Sequence, residues 1–574
     1  MRPYLLLIAP LLSGSHAHAG GGPANVLVLY NAENDPSLDI ANHYMVSRDI
    51  PANQLCPVFG YWPTDQVTTF EDYDTNVLGA LNDCLSTLPQ PDEIDILVIV
   101  RGLPYRVELD DGFSTSLQAM LQIANTSRRG GTEMLAGLGH STSDGLHYAS
   151  VRNPMFVGDG DQSSFELSNP YMIHYSTAAQ IVSQSTQPRS FKREQAAEWF
   201  TWDFSENLFL VSRLDGFDYD DARDLVDRGT AADGTFPTAP IICMEAADSA
   251  RGARDPECHF TIQHLAEAGF EAEWVSPFDG ELSGESLAGF MTGTTSLQTG
   301  LDGHEWAPGA FACNLTSYGA VPQNFWCSED GSACPESEMQ TSIARFVRSG
   351  ATGVHGTTNE PLNNSFVGAG LFLLQTFGYG MIESALFTQR YLYWQNILLG
   401  DPLASPWAER PLVTIDATDE HPANQPFTVH ATHPDGINEI RLYIDGTRVS
   451  ESDEDSLVYT SGGSPGQTVE LLAVAIAKNG ERERPGWPEP NQQPRPDIQG
   501  WSTVRLTLGE NEVQDTADIL LEDSGLPSEQ KAGCGCSAGQ PTAPWWAYLS
   551  LIALLRRRKP QAQTAPSTMS SPSP

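Results

Sequence analysis

The sequence predicts an α/β chain that gives way, near Pro411, to an all-β sandwich. Three observations carry this. Continuous apolar runs of strand length, such as Asn25–Tyr30 (NVLVLY) and Ile94–Val100 (IDILVIV), alternate with stretches of helical spacing, the pattern of a parallel sheet covered on both faces. The pattern restarts at Leu208–Arg213, after an irregular stretch rich in Gly, Ser and Asn over roughly Gly130–Tyr171. Beyond Pro411 the runs are short and regularly spaced, with turn residues between them.

Taken in order, the strand Asn25–Tyr30 is followed by a loop ending in a cap and a helix over Leu38–Arg48. Leu55–Phe59 reads as a strand, Asn76–Leu85 as a helix and Ile94–Val100 as a buried strand, completing a βαβαβ layout. In the second stretch, strands are expected at Leu208–Arg213, Pro240–Glu245, Glu271–Val275, Gly309–Thr316 and Thr352–Thr357. Helices are expected at Asp220–Arg228, His259–Ala268 and Glu338–Val347, with a long helical stretch over Leu371–Tyr393 before Asn396–Pro402. Two Rossmann-like halves, 20–205 and 206–409, fit this pattern, and so does one large doubly wound unit.

In residues 410–509, short strands are expected at Leu412–Asp416, Phe427–Ala431, Glu439–Ile444, Val458–Ser461, Val469–Ala477 and Thr503–Leu508, with a hairpin turn at Asp445-Gly446. That spacing over roughly a hundred residues indicates an immunoglobulin-like sandwich. Residues 510–532 turn acidic and polar, as suits a flexible linker.

Both ends read as targeting segments. Arg2, the apolar Tyr4–Leu12 and Ala17-His18-Ala19 form a signal peptide over 1–19. Near the C-terminus, residues 533–559 carry Cys534 and Cys536, an apolar run at Pro544–Leu555 and then Arg556-Arg557-Arg558-Lys559. The basic cluster marks a cytoplasmic end, although the run is shorter than the roughly 20 residues of a stable span. Residues 560–574 are rich in Pro, Ser, Gln and Thr and lack the means to bury a core. The tail resembles the MYXO-CTERM sorting tails of myxobacterial surface proteins, with their Gly-Cys motif, hydrophobic span and Arg cluster. The resemblance implies a processing protease acting at the tail, attachment to the membrane through it, and display at the cell surface or outer membrane.

A net charge of −42 argues against nucleic acid or an anionic membrane surface as partner, since both need clustered Lys and Arg. Nine cysteines in an exported chain point to disulfides. Proximity suggests Cys56–Cys84, Cys243–Cys258 and Cys327–Cys334, which leaves Cys313 over. Cys313 with His355 or His304 as base would give acyl-transfer chemistry; a buried, inert cysteine is the alternative. Glu360 and Asp401 close strand-like segments, where ligands collect in open α/β sheets, or serve as caps and turns. Arg101, Arg106 and Arg213 also follow or end strands, and local carboxylates are their expected partners. Asp159, Asp161 and Ser163 have the spacing of half a calcium loop, but Ser164 and Pro170 stand where an EF-hand needs Gly and Glu. A looser calcium site and a plain Gly/Asp loop both stay open; no other cofactor has sequence support.

The blocks VRGLPYRV (Val100–Val107), LVSRLDG (Leu210–Gly216), WAPGAFACNLT (Trp306–Thr316), GATGVHGTTNEP (Gly350–Pro361) and LGDP (Leu399–Pro402) resemble a bacterial family of exported proteins that has no assigned activity. Gly350–Pro361, a following helix and LGDP are similar to the end of the catalytic domain in gingipain-type cysteine peptidases, whose fold is caspase-like. That family places a His after one strand and a nucleophilic Cys after the neighbouring parallel strand; His304 and Cys313 are too close in sequence to do so. The expected function is therefore a ligand- or partner-binding α/β head on an immunoglobulin-like stalk, and the alternative is a surface hydrolase, a gingipain-like cysteine peptidase with altered catalytic residues.

Overall fold

A computed structural model describes residues 21–62, 67–109, 114–124, 209–278, 286–295, 297, 305–321, 340–359, 363–389, 392, 394–417, 419–478 and 498–510. The signal peptide, the calcium candidates Asp159, Asp161 and Ser163, Glu360, His304, Cys327, Cys334, the acidic linker and the tail with Cys534 and Cys536 lie outside the described residues.

The strands in chain order are β1 (Val26–Asn31), β2 (Leu55–Val58), β3 (Val67–Thr69), β4 (Ile96–Val100), β5 (Arg106–Glu108), β6 (Ser114–Ser116) and β7 (Leu210–Leu214). Then come β8 (Ile241–Met244), β9 (Ala272–Val275), β10 (Ser286–Thr292), β11 (Glu305–Asn314), β12 (Gly353–Thr357) and β13 (Asn396–Gly400). Ten of these form one sheet, ordered β2-β1-β4-β7-β13-β12-β11-β10-β8-β9. The first five are parallel to one another, the last five likewise, and β12 meets β13 antiparallel at the seam. The inner strands are buried on both faces: every residue of β4, β7, β8, β12 and β13 is buried, including the polar Ser212, Arg213 and His355, while the edge strands β2 and β9 are partly exposed.

Two expectations need correction. The blocks interleave along the chain, since β7 and β13 complete the first one, so a division at residue 206 does not describe the sheet. The helical stretch expected over Leu371–Tyr393 is two short helices, Leu371–Thr376 and Met381–Thr388, because Gly378 takes a left-handed φ of 97° and ends the first. The sequence does not predict β10 within the large sheet, nor the short β3, β5 and β6, which form a three-stranded sheet of their own. The centre of β10 is Gly289, where an added Cβ would stand 2.4 Å from the Phe372 ring, so small size substitutes there for the usual β-formers.

Helices α1 (Asp35–Ser47), α2 (Tyr219–Ala232) and α3 (Asp255–Glu267) cover the sheet. Asn34 caps α1 by accepting from Ser37 N at 3.0 Å, and Asp218 caps α2 by accepting from Asp221 N at 3.0 Å.

Past Pro411, a three-stranded sheet contains β14 (Leu412–Asp416), β16 (Pro426–Thr432) and β19 (Ser456–Thr460). A five-stranded sheet contains β15 (Glu420–Pro422), β17 (Ile437–Ile444), β18 (Thr447–Ser452), β20 (Thr468–Ala477) and β21 (Gln499–Gly509). Phe427, Val429, Ile440, Leu442, Leu471 and Leu506 belong to their shared core. Asp445 and Gly446 both have positive φ, 48° and 74°, and join β17 to β18 as the hairpin pattern required.

This domain is packed on the α/β head rather than held apart from it. Gln499 Nε2 donates to Asn25 Oδ1 (3.2 Å), Trp501 Nε1 to Asp49 (3.2 Å) and Tyr443 Oη to Glu93 (2.8 Å). Arg410 donates to Gln499 O at 2.7 Å and lies 4.7 Å from the Trp501 ring. Trp501 is thereby occupied as an interface residue.

Candidate functional site

The sheet brings Cys313 and His355 together. They are register partners on the adjacent parallel strands β11 and β12, so their side chains share one face. Cys313 Sγ lies 3.5 Å from His355 Nδ1, and His355 Nε2 lies 3.0 Å from Asn396 Oδ1 across the seam. A neutral imidazole protonated on Nε2 satisfies both contacts, donating to Asn396 and accepting the thiol proton at Nδ1. Arg254, just ahead of α3, donates from Nη1 to Cys313 Sγ (3.2 Å) and Val367 O (3.0 Å), and from Nη2 to Thr292 O (3.2 Å). Phe366 packs edge-on against His355 and lies under the Arg254 guanidinium.

In outline this is a nucleophile, a base and an orienting amide. Its electrostatics work against that role. Cys313 and His355 are both fully buried. Burial pushes the Cys313 thiol up, more than Arg254 pulls it down, and burial takes His355 down to about 3. At neutral pH the pair is thiol and neutral imidazole.

Asp401 stands elsewhere, in an ionic cluster on the α1 side of the sheet. It accepts from Tyr44 Oη (2.8 Å), Arg48 Nε (2.6 Å) and, as a turn residue, Leu403 N (2.9 Å). Asp233 adds a second carboxylate, 2.6 Å from Arg48 and 3.3 Å from Arg410. Burial raises the Asp233 pKa, but Arg410 and Arg48 outweigh it and hold the carboxyl below its ordinary range. Asp401 is therefore a structural residue and not part of a site with Cys313. Gly229, inside α2, is needed here: an added Cβ would stand 2.4 Å from the Asp401 Cβ.

The strand-end arginines are paired as expected. Asp215 accepts from Arg101 (2.6 Å) and Arg213 (2.8 Å), and Arg106 lies 3.9 Å from Glu108. Cys56–Cys84 and Cys243–Cys258 are disulfides, and Cys313 is the buried free thiol among the described residues.

Asn396 and Arg254 were not singled out from the sequence. Asn396 opens an apolar strand and gives no sign of the seam it faces; Arg254 sits among Arg251, Asp248 and Asp255, where a surface ion pair is the ordinary reading. Among the described residues no group of three or more His, Cys, Asp or Glu is placed to hold a metal, and no helix is long and apolar enough to cross a membrane.

No family model and no curated protein matches the chain. Among solved structures, the chain is similar to fibronectin(III)-like modules of Clostridium thermocellum CbhA, at 14% identity over 22% of this chain and 58% of that chain, with a TM-score of 0.14. It is also similar to the Clostridium perfringens spore cortex lytic enzyme SleM, at 10% identity over 45% of this chain and 76% of that one, with a TM-score of 0.13. Superposition this poor carries no argument about function. What stands is the class: an α/β chain of mixed helices and strands with several sheets, and with two disulfides among the described residues.

Proposed function

We propose that this is an exported protein, attached at the cell surface through its C-terminal tail, whose α/β head binds a ligand or partner rather than cleaving one. The head would be two Rossmann-like blocks, and the β-domain an immunoglobulin-like module packed beside them. The observation that supports a binding role is the enclosed, neutral state of Cys313 and His355. A cysteine nucleophile needs a thiolate and a base that titrates near the working pH; a buried imidazole with a pKa of about 3 is not such a base.

The second reading, a thiol hydrolase, is favoured by the Cys313–His355–Asn396 alignment alone. One experiment separates them. The exported chain and its Cys313→Ala variant are offered a mixed peptide library, then glycan arrays and intact cells. Saturable binding by both proteins without cleavage is the expected result. Cleavage lost in the variant would establish the hydrolase. Surface attachment is tested by protease shaving of intact cells, which should release the head; a head released only after lysis refutes it.

A further inference from the structure

Five arginines are buried among the described residues: Arg48, Arg101, Arg213, Arg254 and Arg441. Four have carboxylate partners: Arg48 has Asp401 and Asp233, Arg101 and Arg213 share Asp215, and Arg441 has Glu439. Arg254 has no carboxylate within ion-pair distance among the described residues; Asp255, its chain neighbour, feels its charge but accepts from Ala246 N instead. The hydrogen-bond partners of Arg254 are a thiol and two carbonyl oxygens, and its buried Nε–H has no acceptor among the described residues. The chain carries 73 acidic residues against 31 basic ones, so a lack of carboxylates does not explain this. A buried guanidinium with no carboxylate bonded to it is costly, and a negative group in direct contact offsets that cost.

The topology gives Arg254 a second distinction. In the second block the order is β9-β8-β10-β11-β12. The chain leaves β8 toward β9 on one side and returns as β10 on the other, which makes the β8/β10 boundary a topological switch point. Ligands of open α/β sheets bind outside the C-terminal strand ends at such a point. Arg254 stands there, as the N-cap of the 13-residue α3 that follows β8, and donates to Thr292 O at the end of β10. The helix terminus adds its own positive potential. Thr292 Oγ1, on the residue whose carbonyl accepts from Arg254, also has no hydrogen-bond partner among the described residues.

We infer that Arg254 is the anchor of an anion site at the β8/β10 switch point, taking a carboxylate or phosphate group of the head's ligand through its Nε and one Nη. The inference rests on the reading of the head as a binding module and gives its ligand a chemical class. An oxyanion would replace neutral acceptors with a charge-assisted fork, the stronger geometry for a guanidinium.

The test is thermal unfolding of the full chain in sodium phosphate and in sodium succinate, each against sodium chloride of equal ionic strength, for wild type and Arg254→Gln. The wild-type Tm should rise saturably in one oxyanion, on the order of 2–3 °C at 100 times Kd. The rise should vanish in Arg254→Gln, and the more effective salt tells phosphate from carboxylate. No difference from chloride in the wild type, or an equal rise in the variant, overturns the inference. Should Arg254→Gln fail to fold, wild-type crystals soaked in selenate decide: an anomalous peak within hydrogen-bond distance of Arg254 Nε supports the site, and its absence overturns it. No peptide enters these measurements, so cleavage found in the library assay would remove the binding reading and leave the anion site standing.

Discussion

The cluster of Arg48, Arg410, Asp233 and Asp401 balances two positive against two negative charges in a dry setting; Arg48 and Asp401 are almost wholly enclosed. Asp401→Ala breaks that balance. It strands the Arg48 Nε–H, the Tyr44 hydroxyl and the Leu403 amide, each of which donates to Asp401. Removing one partner of a buried pair costs about 3–5 kcal/mol, because the remaining charge keeps its desolvation penalty. Arg48→Met should cost a comparable amount by stranding the Asp401 carboxylate, while Asp233 keeps Arg410. The double variant leaves Arg410 paired with Asp233, so its cost should fall short of the sum by about 1–3 kcal/mol. Urea unfolding at pH 7, followed by tryptophan fluorescence and circular dichroism together, measures all four corners of the cycle. Additive costs, to within about 0.5 kcal/mol, would refute the shared-cluster reasoning, as would an Asp401→Ala chain as stable as wild type.

Three other outcomes are expected. His355 has a folded pKa of about 3 against 6.5 for the free side chain, so between those values the unfolded chain takes up a proton that the folded chain does not. Stability conferred by neutral His355 is thus complete above pH 6.5 and declines as pH falls toward 3, by up to about 1.4 kcal/mol per unit; His355→Gln should flatten that limb in urea midpoints taken from pH 7 to pH 4, and unchanged slopes would contradict it. Replacing both Cys56 and Cys84 by Ala removes a link spanning 28 residues and should cost about 3–4 kcal/mol in the same assay; a midpoint equal to that of wild type would count against it. Native protein should react with iodoacetamide at Cys313 only as fast as the fold opens, so labelling should speed up with urea; fast labelling without denaturant would favour the hydrolase.

Much of the α/β framework was legible because its strands are buried on both faces and read as unbroken apolar runs, NVLVLY and ILVIV among them. β10 was hidden because packing against Phe372 demands a glycine where a strand pattern wants a branched residue. The site was legible in part. Cys313 and His355 could be chosen by residue type, but their contact depends on β11 and β12 lying in register, 42 residues apart in the chain. Asn396 comes from the opposite block and Arg254 from a loop two strands away, and no local pattern encodes either approach. Strand-end carboxylates were legible only as polar groups at an edge, which is why Asp401 could not be told from a ligand-binding residue before Arg48 was placed beside it.

The docking of β21 has a mechanical consequence. Its start is fastened to the head through Gln499, Trp501 and Thr503, while its body is laddered to β20 from Ile476↔Gln499 to Thr468↔Thr507. A force drawn through the chain beyond Gly509 runs along this strand, while the ladder's hydrogen bonds lie across it. The rungs would then carry the load together in shear instead of peeling apart singly, and that load would reach the head through the contacts of Gln499, Trp501 and Thr503.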